Sequence, residues 1–160
     1  MAFWWRPLIM IMMSVLISLS SRPGTAATTG QLYWCDTRTG YAIGGYDPVA
    51  YFVDRKARQG VTDFEYQWKA VTWKFVSAAN RAVFVRDPGV YAPQYGGYGA
   101  EGIAQGILAA GSPLNWLLFE NRLFLFNTAV QRAKWVEGTK FRRGKANANW
   151  PDLNSVLVRE

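Results

Sequence analysis

Tyr91-Ala92-Pro93-Gln94-Tyr95-Gly96-Gly97-Tyr98-Gly99-Ala100 is the stretch on which the fold of this chain depends. It places three tyrosines, one proline and three glycines within ten residues. Pro93 disfavours a helix, and Gly96-Gly97 permits backbone angles that are closed to other residues. The stretch therefore predicts an irregular bend, around which the elements before and after it pack.

On the N-terminal side of the bend, residues 64–68 and residues 71–76 each alternate apolar and polar side chains. Because only Lys69-Ala70 separates them, they predict a tight antiparallel hairpin. Alternate residues of a strand share a face, so we expect one set of side chains on the second strand to face the core: Val71, Trp73 and Phe75.

The segments that flank this hairpin predict two helices. Asp47-Pro48 is typical of a helix start, with Asp47 as cap and Pro48 at the first helical position, and it predicts a short helix or turn over residues 49–52. Ser77 is the cap of a second helix. Its apolar stripe toward the hairpin is predicted to be Ala79, Val83 and Phe84.

The segments that follow the bend predict a similar order of elements. Residues 98–105 favour a helix that Gly106 ends, and residues 116–119 and 123–126 predict a second hairpin with Glu120-Asn121-Arg122 near its turn. Thr128 is the expected cap of a helix over residues 129–136, which we predict to be the last regular helix of the chain. A short helix over residues 146–150 is predicted to close at Pro151.

These elements predict an α+β fold. We expect one small domain over residues 33–153, in which two β-hairpins and short helices pack around a Gly/Tyr-rich central segment. The composition supports a sizeable core, since 50% of the 160 residues are hydrophobic and 16% are aromatic.

The chain contains no histidine and one cysteine, Cys35. These counts exclude Ser-His-Asp and Cys-His nucleophile systems, a tetrahedral zinc site built from one chain, and an intrachain disulfide. In an oxidising compartment Cys35 would be a thiol, a mixed disulfide or half of a dimer bridge. The alternative is a small, buried apolar side chain.

Residues 1–27 have the pattern of a signal peptide. An apolar run at residues 8–19 is shorter than the roughly 20 residues of a membrane span, and cleavage is expected after Ala26 or Ala27. Cleavage removes Arg6 and Arg22 of the 18 basic residues and leaves 16 against 11 acidic ones, a net charge of +5. The alternative is an uncleaved N-terminal anchor.

Four blocks of sequence, in order across residues 44–153, closely resemble the exported bacterial branch of the YHS-domain family. The blocks are Gly45-Tyr46-Asp47-Pro48-Val49-Ala50-Tyr51-Phe52, Trp73-Lys74-Phe75 with Asn80, Tyr91-Ala92-Pro93-Gln94-Tyr95-Gly96-Gly97-Tyr98, and Ala148-Asn149-Trp150-Pro151. The resemblance implies a small α+β domain in or near the bacterial periplasm, with a poorly defined function. Other YHS domains are associated with heavy-metal handling.

The chain departs from the family pattern at named positions. It lacks the histidine of the Tyr-His-Ser motif, and Gly99 stands where the exported branch usually has a cysteine after Gly-Gly-Tyr. At the turn after Trp116 it has Glu120-Asn121 in place of Asp-Gly. Cys35 lies far from Gly99 in sequence and is not a positional substitute.

The tyrosines of the central bend and of the Asp47 block could line a pocket for a small ligand. Tyrosine offers an apolar face and a hydroxyl tip, which suit such sites. The alternative is that they pack the core, that Asp47 caps a helix and that Gln94 fixes a loop. The candidate ligand-binding residues are Asp47, Tyr51, Gln94, Tyr95, Gly96, Gly97 and Tyr98.

Two further motifs have a competing interpretation. Residues 97–102 fit the GxGxxG pattern, but no apolar strand precedes them, so a dinucleotide site is disfavoured. Arg142, Arg143 and Lys145, with Lys140, form a basic patch. Export argues against nucleic acid as the partner of this patch. Three interpretations stay open: a weak contact with an anionic membrane surface, a contact with an acidic partner, and a solvated face.

The sequence supports three functional hypotheses. The first is a non-enzymatic exported module, periplasmic or secreted, that binds a small ligand or a protein partner around Gly96-Gly97. The second, implied by the resemblance, is a periplasmic copper- or zinc-handling protein. The third is an enzyme that uses Asp47 or a tyrosine as acid or base. The sequence designates no catalytic residue, metal ligand or cofactor.

Overall fold

The computed structural model describes Met1 and residues 32–159. Apart from Met1, the predicted signal peptide lies outside the described residues. The chain forms a small α+β domain, as predicted, with two separate two-stranded antiparallel sheets and helices packed against them.

The first hairpin joins β1, Val61–Trp68, to β2, Val71–Phe75, in antiparallel register with Tyr66 opposite Trp73. The exposed fractions of Val71, Trp73 and Phe75 are 2%, 0% and 0%, which confirms the predicted core face of β2. Lys69 and Ala70 form the turn with φ of 54° and 61°. Positive φ at both central residues matches the right-handed twist of the strands.

Two short helices flank this sheet. Helix α1, Ala50–Val53, follows a 3-10 turn at Ile43–Gly45. Helix α2, Ala78–Arg86, begins as predicted, because the Ser77 hydroxyl accepts a hydrogen bond from the Asn80 N–H at 3.1 Å.

The predicted stripe of α2 is correct only in part. Phe84 is buried with its ring 5.1 Å from that of Trp73, and Val83 is half-buried, but Ala79 is exposed. At 3.6 residues per turn, Ala79 lies about 140° around the helix from Phe84. The large Phe84 ring sets the buried face, and Ala79 therefore turns to solvent.

The central bend is built from short helical turns. Helix α3, Pro88–Tyr91, leads into a 3-10 turn at Gln94–Gly97, and helix α4 covers Ala100–Ala104. Helix α4 is shorter than the predicted 98–105, although Gly106 ends it with φ of 77°, as expected. Gly96 and Gly97 have φ of 61° and 83°, in the region that glycine favours.

The second hairpin and its helix also follow the prediction. Strand β3, Ser112–Phe119, pairs antiparallel with β4, Arg122–Phe126, and the turn residues Glu120 and Asn121 both have positive φ. Helix α5, Ala129–Glu137, is capped by the Thr128 hydroxyl, which accepts from the Gln131 N–H at 3.2 Å.

The prediction for the C-terminal helices is wrong, because α5 is not the last regular helix. Helix α6 runs over Thr139–Arg159, with Pro151 inside it. An internal proline removes one backbone hydrogen bond and favours a break. Here α6 packs closely along α4, with Ala146 fully buried. That packing offsets the local cost of Pro151, so the helix continues.

Strand β4 lies between two cores. Leu123 and Leu125 pack into a core with Trp73, while Phe124 and Phe126 pack into a second core with Trp135. All four side chains are at most 1% exposed. The period of two in a strand thus sends alternate residues of β4 into different cores. Within residues 32–159, no helix has both the length and the hydropathy needed to cross a bilayer.

Candidate functional site

The central bend packs directly against the start of the described chain. The Trp34 N–H donates to the Gly96 carbonyl at 2.7 Å. A Cβ on Gly96 would lie 2.0 Å from the Leu32 carbonyl oxygen. Since no Cβ tolerates that distance, only glycine lets the chain at Leu32 approach this closely.

A cleft of about 200 Å³ opens beside Gly96. It lies between the bend, the start of the described chain and helix α6, and it is lined by Leu32, Tyr33, Gly89, Ala92, Pro93, Gln94, Tyr95, Gly96 and Trp150. Three predicted ligand-binding residues, Gln94, Tyr95 and Gly96, are therefore part of this wall. The other four, Asp47, Tyr51, Gly97 and Tyr98, do not line it.

Tyr95 connects the bend to α6. Its hydroxyl donates to the Asn147 side-chain oxygen at 2.8 Å, and its ring lies 5.7 Å from that of Trp150 and 6.0 Å from that of Phe124. Burial raises the pKa of Tyr95 to about 12, against the opposing effect of the Arg143 charge. Tyr95 therefore stays neutral at physiological pH and holds one wall of the cleft.

Three side chains around the cleft keep polar groups that have no hydrogen-bond partner among the described residues. These groups are the Tyr33 hydroxyl, the Gln94 amide and the Trp150 indole N–H. Tyr33 is held by ring contacts to Trp68 at 5.1 Å and Trp73 at 5.3 Å. The cleft thus combines fixed aromatic rings with donors and acceptors that remain available for a ligand.

Sequence reasoning did not place Tyr33 or Trp150 at the site. Tyr33 precedes the bend by about 60 residues, in a lead-in without period. Trp150 belongs to one face of α6 with Arg143 and Asn147, at spacings of four and three residues. That spacing was present in the sequence, but it is meaningful only once the helix is known to extend through residues 143–150.

Tyr98 lies behind the cleft wall. Its ring is 6.4 Å from that of Trp150, and its N–H donates to the Tyr95 carbonyl at 3.0 Å. Burial, and to a smaller extent the electrostatic effect of Cys35, raises the pKa of Tyr98. Tyr98 therefore supports Trp150 from the protein side.

Asp47 is fully buried, and both of its carboxylate oxygens accept hydrogen bonds from the protein. Oδ1 accepts from the N–H groups of Val49 at 2.8 Å and Ala50 at 3.2 Å, as predicted for a cap, but α1 begins at Ala50, so Pro48 precedes the helix and is not its first residue. Oδ2 accepts from the Val76 N–H at 2.9 Å and the Asn80 side chain at 2.7 Å. Asp47 therefore ties α1 to the end of β2 and to α2.

Tyr51 occupies the first core, away from the cleft. Its hydroxyl donates to the Pro113 carbonyl at 2.9 Å, and its ring meets Trp116 edge-to-face at 5.3 Å. Burial, followed by the electrostatic effects of Tyr46 and Asp47, raises its pKa far above the usual value. Tyr51 is thus a neutral packing residue with a satisfied hydroxyl.

Glu101 is a buried acid that no sequence pattern singled out. It is 1% exposed, and its Oε1 accepts from Arg142 Nη1 at 2.5 Å and from Gln105 Nε2 at 2.9 Å. Its Oε2 has no hydrogen-bond partner among the described residues. The pair joins α4 to α6 across the second core.

The predicted basic patch is divided by this packing. Arg142 is paired with Glu101, and Arg143 is paired with Glu120. Lys145 is exposed, with its ammonium 5.0 Å from the centre of the Phe141 ring. Arg142 and Arg143 therefore already pair with acidic side chains of the same chain, and Lys145 has no such pair among the described residues.

The GxGxxG-like residues 97–102 have the wrong setting for a dinucleotide. Their first residue, Gly97, ends the 3-10 turn Gln94–Gly97, and their last three residues lie in α4, which has only five residues. A dinucleotide fingerprint requires a strand before it and a βαβ unit around it. The structure therefore disfavours a dinucleotide site, as did the lack of an apolar strand before these residues in the sequence.

Within residues 32–159, no group of three or more His, Cys, Asp or Glu side chains is arranged to hold a metal ion. Cys35 is 8% exposed and forms a β-bridge with Ala42. The metal-handling hypothesis remains a prediction from the resemblance, and loss of stoichiometric copper or zinc binding in Cys35→Ser would support it.

Comparison with family models, with curated proteins and with solved structures finds no match for this chain.

Proposed function

We propose that this chain is a non-enzymatic, exported module that binds a small ligand in the cleft beside Gly96. The main support is a set of polar groups on side chains that line a cavity of about 200 Å³. The Tyr33 hydroxyl, the Gln94 amide and the Trp150 indole N–H have no hydrogen-bond partner among the described residues. Small-molecule sites combine aromatic walls with a few placed polar groups, and this cleft has both.

The placement of the acid–base candidates favours binding over catalysis. The carboxylate of Asp47 accepts four hydrogen bonds from the protein, and the Tyr51 hydroxyl donates to Pro113. Neither residue lines the cleft. A general acid or base must lie within hydrogen-bond reach of the reacting group, and these two residues lie outside the cleft. The tyrosines that line it, Tyr33 and Tyr95, both have a pKa that burial raises, and the Tyr95 hydroxyl donates to Asn147.

The YHS-like assignment is part of this proposal. Blocks that carry the resemblance are far apart in sequence, and the fold brings them into contact. Asp47 of the first block accepts from Asn80 of the second at 2.7 Å. Tyr95 of the third block packs against Trp150 of the fourth at 5.7 Å. Such contacts give a physical reason for these blocks to occur together.

Native mass spectrometry of the full chain, purified from its own host, tests the proposal. The expected result is an additional mass for a small ligand, which Trp150→Ala loses while the variant keeps an unchanged far-ultraviolet circular dichroism spectrum. The proposal fails if repeated preparations carry no ligand. It also fails if the additional mass persists in Trp150→Ala and in Gln94→Ala.

A matched control separates the cleft from general effects of substitution. Gln94 lines the cleft, whereas Gln67 is exposed on β1 and does not. We expect Gln94→Ala to lower ligand occupancy and Gln67→Ala to leave it unchanged. Equal losses in the two variants would contradict a site at the cleft.

A further inference from the structure

We infer that the cleft beside Gly96 takes an uncharged, ring-shaped ligand rich in hydroxyl groups, with the chemistry of a neutral monosaccharide. This inference rests on the proposed function and names the ligand class for the same site. It follows from the charge, the shape and the hydrogen-bonding capacity of the lining.

The lining of the cleft carries no ionisable acid or base other than its tyrosines. Two arginines lie close by, and each already has a partner in the protein, which for Arg122 is the lining residue Gly89. Arg122 donates to the Gly89 carbonyl at 2.9 Å, and Arg143 is paired with Glu120. Since taking a charge out of water without a partner is costly, the cleft favours a neutral ligand over an anion or a cation.

Two aromatic side chains with fixed rings, Tyr33 and Trp150, line the cleft. Trp150 is half-buried in the wall, and its ring is fixed by Tyr95 at 5.7 Å and by Tyr98 at 6.4 Å. Tyr33 on the opposite segment is fixed by two tryptophans of the first core. Rigid aromatic faces bury the apolar face of a ring ligand at little cost in side-chain entropy.

The polar groups of the lining match hydroxyl groups. The Gln94 amide provides donors and an acceptor, the Tyr33 hydroxyl can donate and accept, and the Trp150 indole donates. A hydroxyl also donates and accepts, so a polyhydroxylated ring can engage all three side chains. A purely apolar aromatic ligand would displace water from these groups without replacing its hydrogen bonds, which disfavours such a ligand.

The volume of the cleft, about 200 Å³, suits a ligand of one ring. One sugar ring is of this size, whereas a dinucleotide is much larger.

Saturation-transfer NMR on the full chain tests the ligand class. The probes are glucose, galactose and mannose as neutral rings, glucuronic acid and glucosamine as charged analogues, and indole as an apolar ring. We expect at least one neutral sugar to bind and the charged analogues to bind at least tenfold more weakly. We expect Gln94→Ala and Trp150→Ala to weaken sugar binding at least tenfold, Trp150→Phe to weaken it less, and Gln67→Ala to leave it unchanged.

The outcomes separate this inference from the proposed function. If indole or a charged sugar binds at the cleft and no neutral sugar does, the ligand class is wrong and the binding function stands. Neutral-sugar binding that the cleft variants leave unchanged also overturns the inference. If no probe binds and the protein from its host carries no ligand, both proposals fail.

Discussion

At the scale of single residues, Gly96 is the position that the fold depends on most directly. Its φ of 61° is unfavourable for other residues, and the Leu32 carbonyl oxygen occupies the place of its missing side chain. The sequence predicted a bend at Gly96-Gly97 that glycine alone permits. It did not indicate that another segment of backbone fills the space, because Leu32 is distant in sequence.

We predict that Gly96→Ala destabilises the protein by clearly more than the roughly 1–2 kcal/mol that a left-handed φ costs a residue with a Cβ. The excess arises because the new Cβ would lie 2.0 Å from the Leu32 oxygen. Urea unfolding measures the free energies. Gly40→Ala is the matched control, since Gly40 has a φ of 73° and none of the described residues places an atom within 4 Å of where its Cβ would lie. Equal losses in the two variants would contradict the steric argument.

The sequence predicts only one of the two roles of the Asp47 carboxylate. Its role as a cap follows from the local pattern Asp-Pro, and the structure confirms it through Val49 and Ala50. Its second oxygen binds the Val76 N–H and the Asn80 side chain, which local patterns do not indicate.

At the scale of elements, both hairpin turns have positive φ without glycine. In the first hairpin, Lys69 and Ala70 have φ of 54° and 61°. We predict that Ala70→Gly stabilises the protein by about 0.5–1 kcal/mol, because glycine removes the steric cost of this conformation. The measurement is the midpoint of urea unfolding.

The control for the turn is the same substitution in a helix. Ala82 is exposed within α2. Ala82→Gly should destabilise by about 1 kcal/mol, since glycine is a poor helix former. A destabilising effect of Ala70→Gly would show that strain at the turn is not significant.

Helices α4 and α6 are joined by Glu101 and Arg142, an interaction between elements. Arg142→Leu leaves the carboxylate of Glu101, which is 1% exposed, without its cationic partner. We predict a loss of about 3–5 kcal/mol in the free energy of unfolding, because the buried negative charge then keeps only the Gln105 amide as a donor. Thermal and urea unfolding measure the loss.

The double variant Glu101→Leu/Arg142→Leu provides the control for this pair. Replacing both charges removes the unpaired carboxylate, so the double variant should be more stable than Arg142→Leu alone. If the double variant is the less stable of the two, the pair does not act as a unit.

At the scale of the whole molecule, β4 holds the domain together because its two faces belong to different cores. The continuous apolar run at residues 123–126 was predicted only as one strand of a hairpin. Whether a strand is buried on one face or on both depends on which elements pack against it. The tertiary structure decides this, and the strand's own sequence does not.

Buried tyrosines make the whole domain sensitive to alkaline pH. Burial raises the pKa of Tyr33, Tyr51, Tyr95 and Tyr98, with Tyr95 at about 12. The folded state therefore binds more protons than the unfolded chain at alkaline pH. The stabilising contribution of Tyr95 is complete below pH 10 and is lost as the pH rises toward 12.

We predict that the free energy of unfolding falls from pH 9 to pH 12 and that the fall is smaller in Tyr95→Phe, which lacks the ionisable group. Urea unfolding at a series of pH values measures the slope, and comparison at pH 7 corrects for the lost hydrogen bond to Asn147. An identical slope in the two proteins would contradict a raised pKa for Tyr95.

Local sequence was enough to predict the two hairpins, the caps at Asp47, Ser77 and Thr128, and the bend at Gly96-Gly97. Each of these features depends on neighbouring residues, whose preferences can be deduced from the chain. Three features arise only from tertiary packing: the passage of α6 through Pro151, the burial of Glu101 with Arg142, and the cleft. Tyr33, Gln94 and Trp150 form that cleft from three distant segments, and only packing brings distant segments together.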